Sequence, residues 1–220
     1  MSRDRVKVVP NAAARVFRPV TNRDVIAATR AQYRIPEGEY LLCLGVARPH
    51  KNLAHLIRSF FRLLDERSLP GTYLVLAGAK RGRVDDDVLA AAQSSAEHQS
   101  RLIFTEYVAE EDLPALYSGA VAFVFPSLYE GFGLPPLEAM ACGAPVITSN
   151  TTSLPEVVGD AALLIDPTDS DQLCEAMSMV LFNHSLREEL KEKSLARATE
   201  FSWTRCAELT ADVYHLAASS

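Results

Sequence analysis

The strongest constraint on this chain is a succession of short apolar runs, most of them separated by stretches of helical periodicity. They are YLLCLGV (40–46), TYLVLAG (72–78), RLIFT (101–105), AVAFVFP (120–126), APVITSN (144–150) and AALLIDP (161–167). Bounded runs this short read as strands. They are continuous rather than alternating, which implies burial on both faces. Two-faced strands joined by helices predict an α/β chain: a doubly wound parallel sheet of about six strands, Rossmann-like, with helices on each side. In such sheets ligands bind beyond the carboxyl ends of the strands, so the loops after strands carry the functional expectations.

The helical stretches follow the same alternation. Leu53, Leu56, Ile57, Phe60, Leu63 and Leu64 share one face, with Asn52 as the expected N-cap. A polar helix is expected from Val84 to Ser95, with Asp85, Asp86 and Asp87 in its first turn. Acids there suit the positive end of a helix dipole and need no metal. EEDLPALYSGA reads as a short helix, and Asp171 to Phe182 and Leu186 to Glu200 as two longer ones. Trp203, Cys206, Leu209, Val213 and Leu216 mark a final helix.

Composition excludes several classes. The 220 residues are 48% hydrophobic and 23% charged, enough for one sizeable core and unlike a disordered chain. A net charge of -6 argues against broad nucleic-acid binding, though it permits a local basic pocket. No apolar run approaches the ~20 residues that cross a bilayer, and the N-terminal residues do not read as a signal peptide. Cys43, Cys142, Cys174 and Cys206 lack CxxC spacing, so free thiols in a reducing compartment are expected. The five histidines show no paired-ligand spacing, and no metal site is expected.

The loop after AVAFVF carries the chemistry. PSLYEGFGLPPLEAMACGAPVIT (126–148) places Glu130 and Glu138 around two glycines and two prolines. Gly131 and Gly133 open backbone conformations closed to other residues. Pro135 and Pro136 suit a first helical turn, where their missing N–H groups cost nothing. The amides of Gly131 to Leu134 then lie just ahead of a helix, where its dipole favours an anion. Carboxylates accept hydrogen bonds from vicinal hydroxyls. A phosphate on the amides with hydroxyls on the acids would suit a sugar nucleotide. A Glu near a helix start is also favourable without any ligand, and from spacing alone the two readings weigh equally.

GVARPHKNL (45–53) shifts that balance. Arg48 and Lys51 stand at the start of the next helix, where a cation opposes the dipole. They make better sense with an anion between them and the helix N-terminus, against the plainer alternative of an exposed basic loop.

Together these segments resemble the C-terminal domain of the GT-B glycosyltransferases, in particular the retaining family 4. The Glu–seven residues–Glu pattern is matched by Glu130 and Glu138, and the basic pair by Arg48 and Lys51. VVPNAAARVFRPV, SLPEVVGDAALLIDPTD and FSWTRCAELTADVY match other segments of the family. The resemblance implies that Arg48 and Lys51 neutralise the donor diphosphate as it leaves. It implies that the backbone at Phe132, Gly133 and Leu134 binds the phosphates and orients the sugar. Glu130 would contact sugar hydroxyls, Glu138 the ribose, and the backbone of Val108 the base. The implied reaction transfers a sugar with retention, usually without a metal or other cofactor. The wording of the glutamate stretch looks most like bacterial mannosyltransferases, so GDP-mannose is the expected donor and a glycan or lipid-linked acceptor its partner. Three positions depart from the pattern: Ala47, Asn52 and Glu106 stand where glycine is common.

The resemblance also implies a domain plan. Residues 1–20 read as a linker segment from an N-terminal GT-B domain, and 21–220 as the donor-binding domain. That other domain, in cis or in trans, would supply the acceptor site. The chain is then an excised piece, a natural half or a remnant that binds without catalysing. Apolar surface from Trp203 to Leu216, uncovered, would favour self-association. A noncatalytic nucleotide-sugar-binding or interaction module is the alternative reading. A nicotinamide oxidoreductase lacks its GxGxxG turn. The expected location is cytoplasmic, or peripheral at the inner face of the membrane.

Overall fold

The computed structural model describes residues 6–45, 48–78 and 85–218. Six strands form one sheet: β1 (Glu39–Leu44), β2 (Thr72–Ala77), β3 (Leu102–Phe104), β4 (Ala122–Phe125), β5 (Val146–Ser149) and β6 (Ala162–Ile165). All neighbours are parallel, in the order β3-β2-β1-β4-β5-β6. The doubly wound sheet expected from the apolar runs is therefore present. Its order reverses between β1 and β4, which opens a crevice there at the carboxyl ends of the strands.

Helix α1 (Arg23–Gln32) precedes β1, and the helices between the strands are α2 (Leu53–Glu66), α3 (Asp86–Gln93), α4 (Leu113–Gly119), α5 (Leu134–Ala141) and α6 (Leu154–Val158). Three more, α7 (Ser170–Phe182), α8 (His184–Ala198) and α9 (Trp203–Ala218), follow the last strand. Strand side chains alternate between two core layers. Leu41, Cys43, Leu74, Leu76, Val124 and Ile147 pack with α2, α3 and α7. Tyr40, Leu42, Val75, Phe123, Phe125 and Val146 pack with α4, α5 and α6. Burial is complete in β4 and β5 and relaxes at the edge strand β6, where Leu164 is exposed.

The predicted face of α2 is the buried one, with Leu53, Leu56, Ile57, Phe60 and Leu63 all inside. Its expected cap is not formed. Asn52 has φ 58 and makes no capping bond. Its side-chain amide instead donates to the carbonyls of Pro126, at 3.2 Å, and Pro167, at 2.7 Å, tying together the loops after β1, β4 and β6. The positive φ explains why glycine would suit position 52, and asparagine is among the L residues that tolerate it best. Glu106 likewise has φ 59. The third departure, Ala47, lies outside the described residues, as does Val84. Asp85 caps α3 by accepting from the amide of Val88.

Ahead of α1, the chain packs on the domain: Ala12 and Phe17 are buried, and Phe17 meets the Tyr117 ring edge-on. Cys43, Cys142, Cys174 and Cys206 are all free thiols.

Candidate functional site

The loops after β1 and β4 flank the reversal point of the sheet, and each carries a predicted residue. After β1 a short helical turn, Pro49–Lys51, sends the Lys51 side chain back beside Gly45 and over the Phe125 ring, 4.6 Å from its centroid. Its Nζ lies 2.7 Å from Glu130 Oε1. The two side chains are only 18% and 14% exposed, so the pair is shielded from the screening that weakens surface ion pairs. A main-chain bond from the Leu128 amide to the His50 carbonyl, 2.8 Å, fastens the same two loops. Residues 79 positions apart are thus brought into one crevice.

The Glu130 loop leads directly into α5. Gly133 is its N-cap residue, with φ 115. A Cβ there would also stand 2.9 Å from Leu154 Cδ2, so glycine is required twice over. Gly131 needs no such freedom: its φ is ordinary and a Cβ would meet nothing within 4 Å. Pro135 and Pro136 occupy the first turn of α5, as their chemistry predicts. That turn contains no acid.

Glu138 has separate surroundings, on the α4 side of α5. The fully buried Tyr117 donates from its hydroxyl to Glu138 Oε2 at 3.4 Å. Burial pushes the Glu138 carboxyl up to about 7, opposed by the Tyr117 bond and reinforced by the charge of Glu110. Burial also raises the Tyr117 hydroxyl well above its usual range, so it stays a donor. The two glutamates therefore occupy distinct subsites, one beside a cation and one in a poorly solvated niche.

Val108 turns its side chain into the core, leaving its main chain at the sheet's carboxyl edge. The next amide, Ala109, donates to the Tyr33 hydroxyl at 3.1 Å, which donates in turn to Asp112 at 2.6 Å. Arg48 is exposed and lines a cavity of about 400 Å³ with Asn52, His55, Arg58 and Leu128. Lys51, but not Arg48, is thus paired with the Glu130 loop, and among the described residues Arg48 has no ion-pair partner. No group of side chains suited to a metal ion occurs among the described residues.

Sequence reasoning missed the hydroxyl run Thr151, Thr152 and Ser153 after β5. Thr151 Oγ1 donates to the Leu128 carbonyl at 3.4 Å, and Thr152 Oγ1 accepts from the Glu130 amide at 3.2 Å. Ser153 Oγ lies 3.0 Å from the Glu130 carbonyl and 2.8 Å from that of Phe132. The only signal was three hydroxyl residues in a post-strand loop. Tyr117 was also missed, concealed as one aromatic in an apolar helix.

A model of the family described as "Glycosyl transferases group 1" matches residues 25–197. The chain belongs to the group 1 glycosyl transferases. This group 1 chain is 41% identical over 185 residues to O-antigen chain mannosyltransferase B of Escherichia coli, covering 84% of this chain and 48% of that protein. It is 38% identical over 208 residues to the serotype-specific mannosyltransferase WbdA of Escherichia coli, covering 94% of this chain and 25% of that protein. The chain thus spans between a quarter and a half of these curated relatives. Among solved structures, sucrose-phosphate synthase from Thermosynechococcus elongatus superposes with a TM-score of 0.77 at 27% identity, over 97% of this chain and 53% of that one. The C-terminal domain of the group 1 family protein LpcC from Francisella tularensis superposes with a TM-score of 0.71 at 25% identity, over 86% of this chain and 97% of that one. The sheet of the group 1 chain is accordingly that of the GT-B glycosyltransferases. None of its described helices is long and apolar enough to cross a membrane.

Proposed function

We propose that this chain is the donor-binding half of a retaining glycosyltransferase that transfers a hexose, mannose by preference, from its nucleoside diphosphate to a glycan or lipid-linked acceptor. The observation that carries the reading is the Lys51–Glu130 pair, set across the reversal point of the sheet beside the N-terminus of α5. A lysine ammonium has three donors. Glu130 takes one and leaves two for a phosphate. The amides ahead of α5, at Phe132, Gly133 and Leu134, offer further donors with the helix dipole behind them. Arg48, the residue that opens the same turn, adds a second cation at the rim.

When the bond between the sugar and the diphosphate breaks, negative charge grows on the departing phosphate. Preorganised cations and amides stabilise that charge most in the transition state. Glu130 is held by Lys51 where it accepts hydrogen bonds from sugar hydroxyls, and it is not assigned as a nucleophile. Glu138 accepts from the ribose, and the backbone at Val108 meets the base. An N-terminal domain, in cis or in trans, completes the cleft and holds the acceptor. We place the enzyme in the cytoplasm or at the inner face of the membrane, and infer that this half alone binds donor without useful transfer. The names of the mannosyltransferase relatives support mannose as the sugar, and we take GDP-mannose as its donor.

Calorimetry with GDP, UDP and their sugars tests the reading. Heat is expected for GDP and GDP-mannose. Removing the ammonium in Lys51→Ala should lower affinity about 10- to 100-fold, the effect of losing a charge-assisted hydrogen bond. Binding of the UDP forms alone would replace the donor while keeping the site. No heat for any of them at millimolar ligand would sink it.

A further inference from the structure

We propose that Ser153 is a positioning residue that aims the main-chain amides of Gly131 and Gly133 at the donor diphosphate. The inference rests on the donor-site reading above and concerns a residue that touches no ligand itself. Ser153 Oγ lies between two carbonyls of the site loop, 3.0 Å from Glu130 O and 2.8 Å from Phe132 O. A hydroxyl has one proton, so it serves one carbonyl at a time or is shared between them. Either way it draws both carbonyls towards the α6 side of the loop.

Peptide planarity supplies the consequence. In a trans peptide the N–H of one residue points opposite to the C=O of the residue before it, and the described chain contains no cis peptide. With the carbonyls of Glu130 and Phe132 turned towards Ser153, the N–H groups of Gly131 and Gly133 point away from it. Among the described residues neither amide has a hydrogen-bond acceptor, although Gly133 is buried. Buried amides are nearly always paired, so the unpaired amide of buried Gly133, with the solvent-exposed amide of Gly131 and the Lys51 ammonium on the same pair of loops, matches the chemistry of a phosphate group.

The neighbours of Ser153 keep it in place. Thr152 accepts from the Glu130 amide, so the loop is gripped on successive peptide units. Leu154, the first residue of α6, fills the space that a side chain at position 133 would need. The backbone of α6 is fixed at its other end by the Arg197 guanidinium, which donates to the carbonyls of Glu156, at 2.6 Å, and Val157, at 2.9 Å.

The test compares the parent chain with Ser153→Ala and Ser153→Thr, which restores a hydroxyl. Two ligands are titrated, GDP and guanosine, by calorimetry or by NMR where binding is weak. Amide hydrogen exchange at the buried Gly133 is followed without ligand. Ser153→Ala should bind GDP about tenfold more weakly, bind guanosine as the parent does, and exchange the buried Gly133 amide faster. Ser153→Thr should recover most of the GDP affinity. Equal GDP affinity in parent and Ser153→Ala overturns the inference and leaves the donor-site reading standing. So does a parallel loss for guanosine, which would mark a merely structural role, and so does unchanged exchange at Gly133. A parent chain that binds neither GDP nor, in a control titration, UDP overturns both.

Discussion

Gly133 and Glu138 show how single residues fix what the site can do. Gly133 combines φ 115 with contact against Leu154, whereas Gly131 has neither restriction. Gly133→Ala should therefore destabilise the fold by roughly 2 kcal/mol or more, through backbone strain plus a forced shift of α6. Gly131→Ala should stay close to the parent. Urea unfolding of the two variants checks this, and equal stability would contradict the packing. Glu138 makes a prediction of definite sign. Its carboxyl is raised by burial from an ordinary 4.5 to about 7. Between those values the folded chain holds a proton that the unfolded chain has released. The group's stabilisation is thus complete below about pH 4.5 and is lost as pH rises through 7. Such a shift corresponds to on the order of 3 kcal/mol. Glu138→Gln cannot lose that proton, so its stability relative to the parent should increase from pH 5 to pH 8. A relative stability that falls over the same range would show that the carboxylate, not the acid, is the form the niche favours.

At the scale of elements, the core was legible because burial leaves a one-dimensional trace. Every strand lies inside one of the apolar runs except for the leading Glu39 of β1, and the α2 face repeats at helical spacing. Elements without such a trace escaped. Helix α1 buries only Thr29, and α6 is a five-residue turn containing proline. The site divides in the same way. Residues with chemical side chains in strand-end loops, such as Lys51 and Glu130, stood out, but their pairing across 79 positions is a product of the sheet's crossover. Asn52 misled because its amide has better partners in two distant loops than at its own helix end. Arg197 was invisible, since its role depends on the last turn of α8 reaching the end of α6. Its guanidinium bonds Glu156, Val157 and Glu200 and stands 5.0 Å from the Phe201 ring, which meets Phe132 edge-on. Arg197→Met keeps the stem but not those bonds. It should cost about 2 kcal/mol of stability and raise hydrogen exchange in residues 154–158 before that of β4. Uniform protection in all elements would show that α6 does not depend on this clamp.

At the scale of the whole molecule, the two ends of the described chain behave differently. The segment before α1 contributes Phe17 to the core, while α9, at the other end, buries none of its residues. Trp203 is 49% exposed and Tyr214 72%, and the two share one face at a spacing of about three helical turns; Leu216 is also exposed, at 57%. Exposed apolar side chains gathered on one helix mark a surface that gains from being covered. In the two-domain reading the covering surface belongs to the other half of the enzyme. For this half alone, a second copy offers the same apolar helix. The chain should therefore self-associate as concentration rises, seen as a growing mass by light scattering. Trp203 is the sole tryptophan, so its emission should move to the blue over the same range. Replacing Trp203 and Tyr214 with serine should abolish the growth in mass while leaving GDP binding intact, because the donor crevice lies at the carboxyl edge of β1 and β4. A parent chain that stays monomeric at high concentration would show that the polar residues of α9 suffice to keep the helix in water.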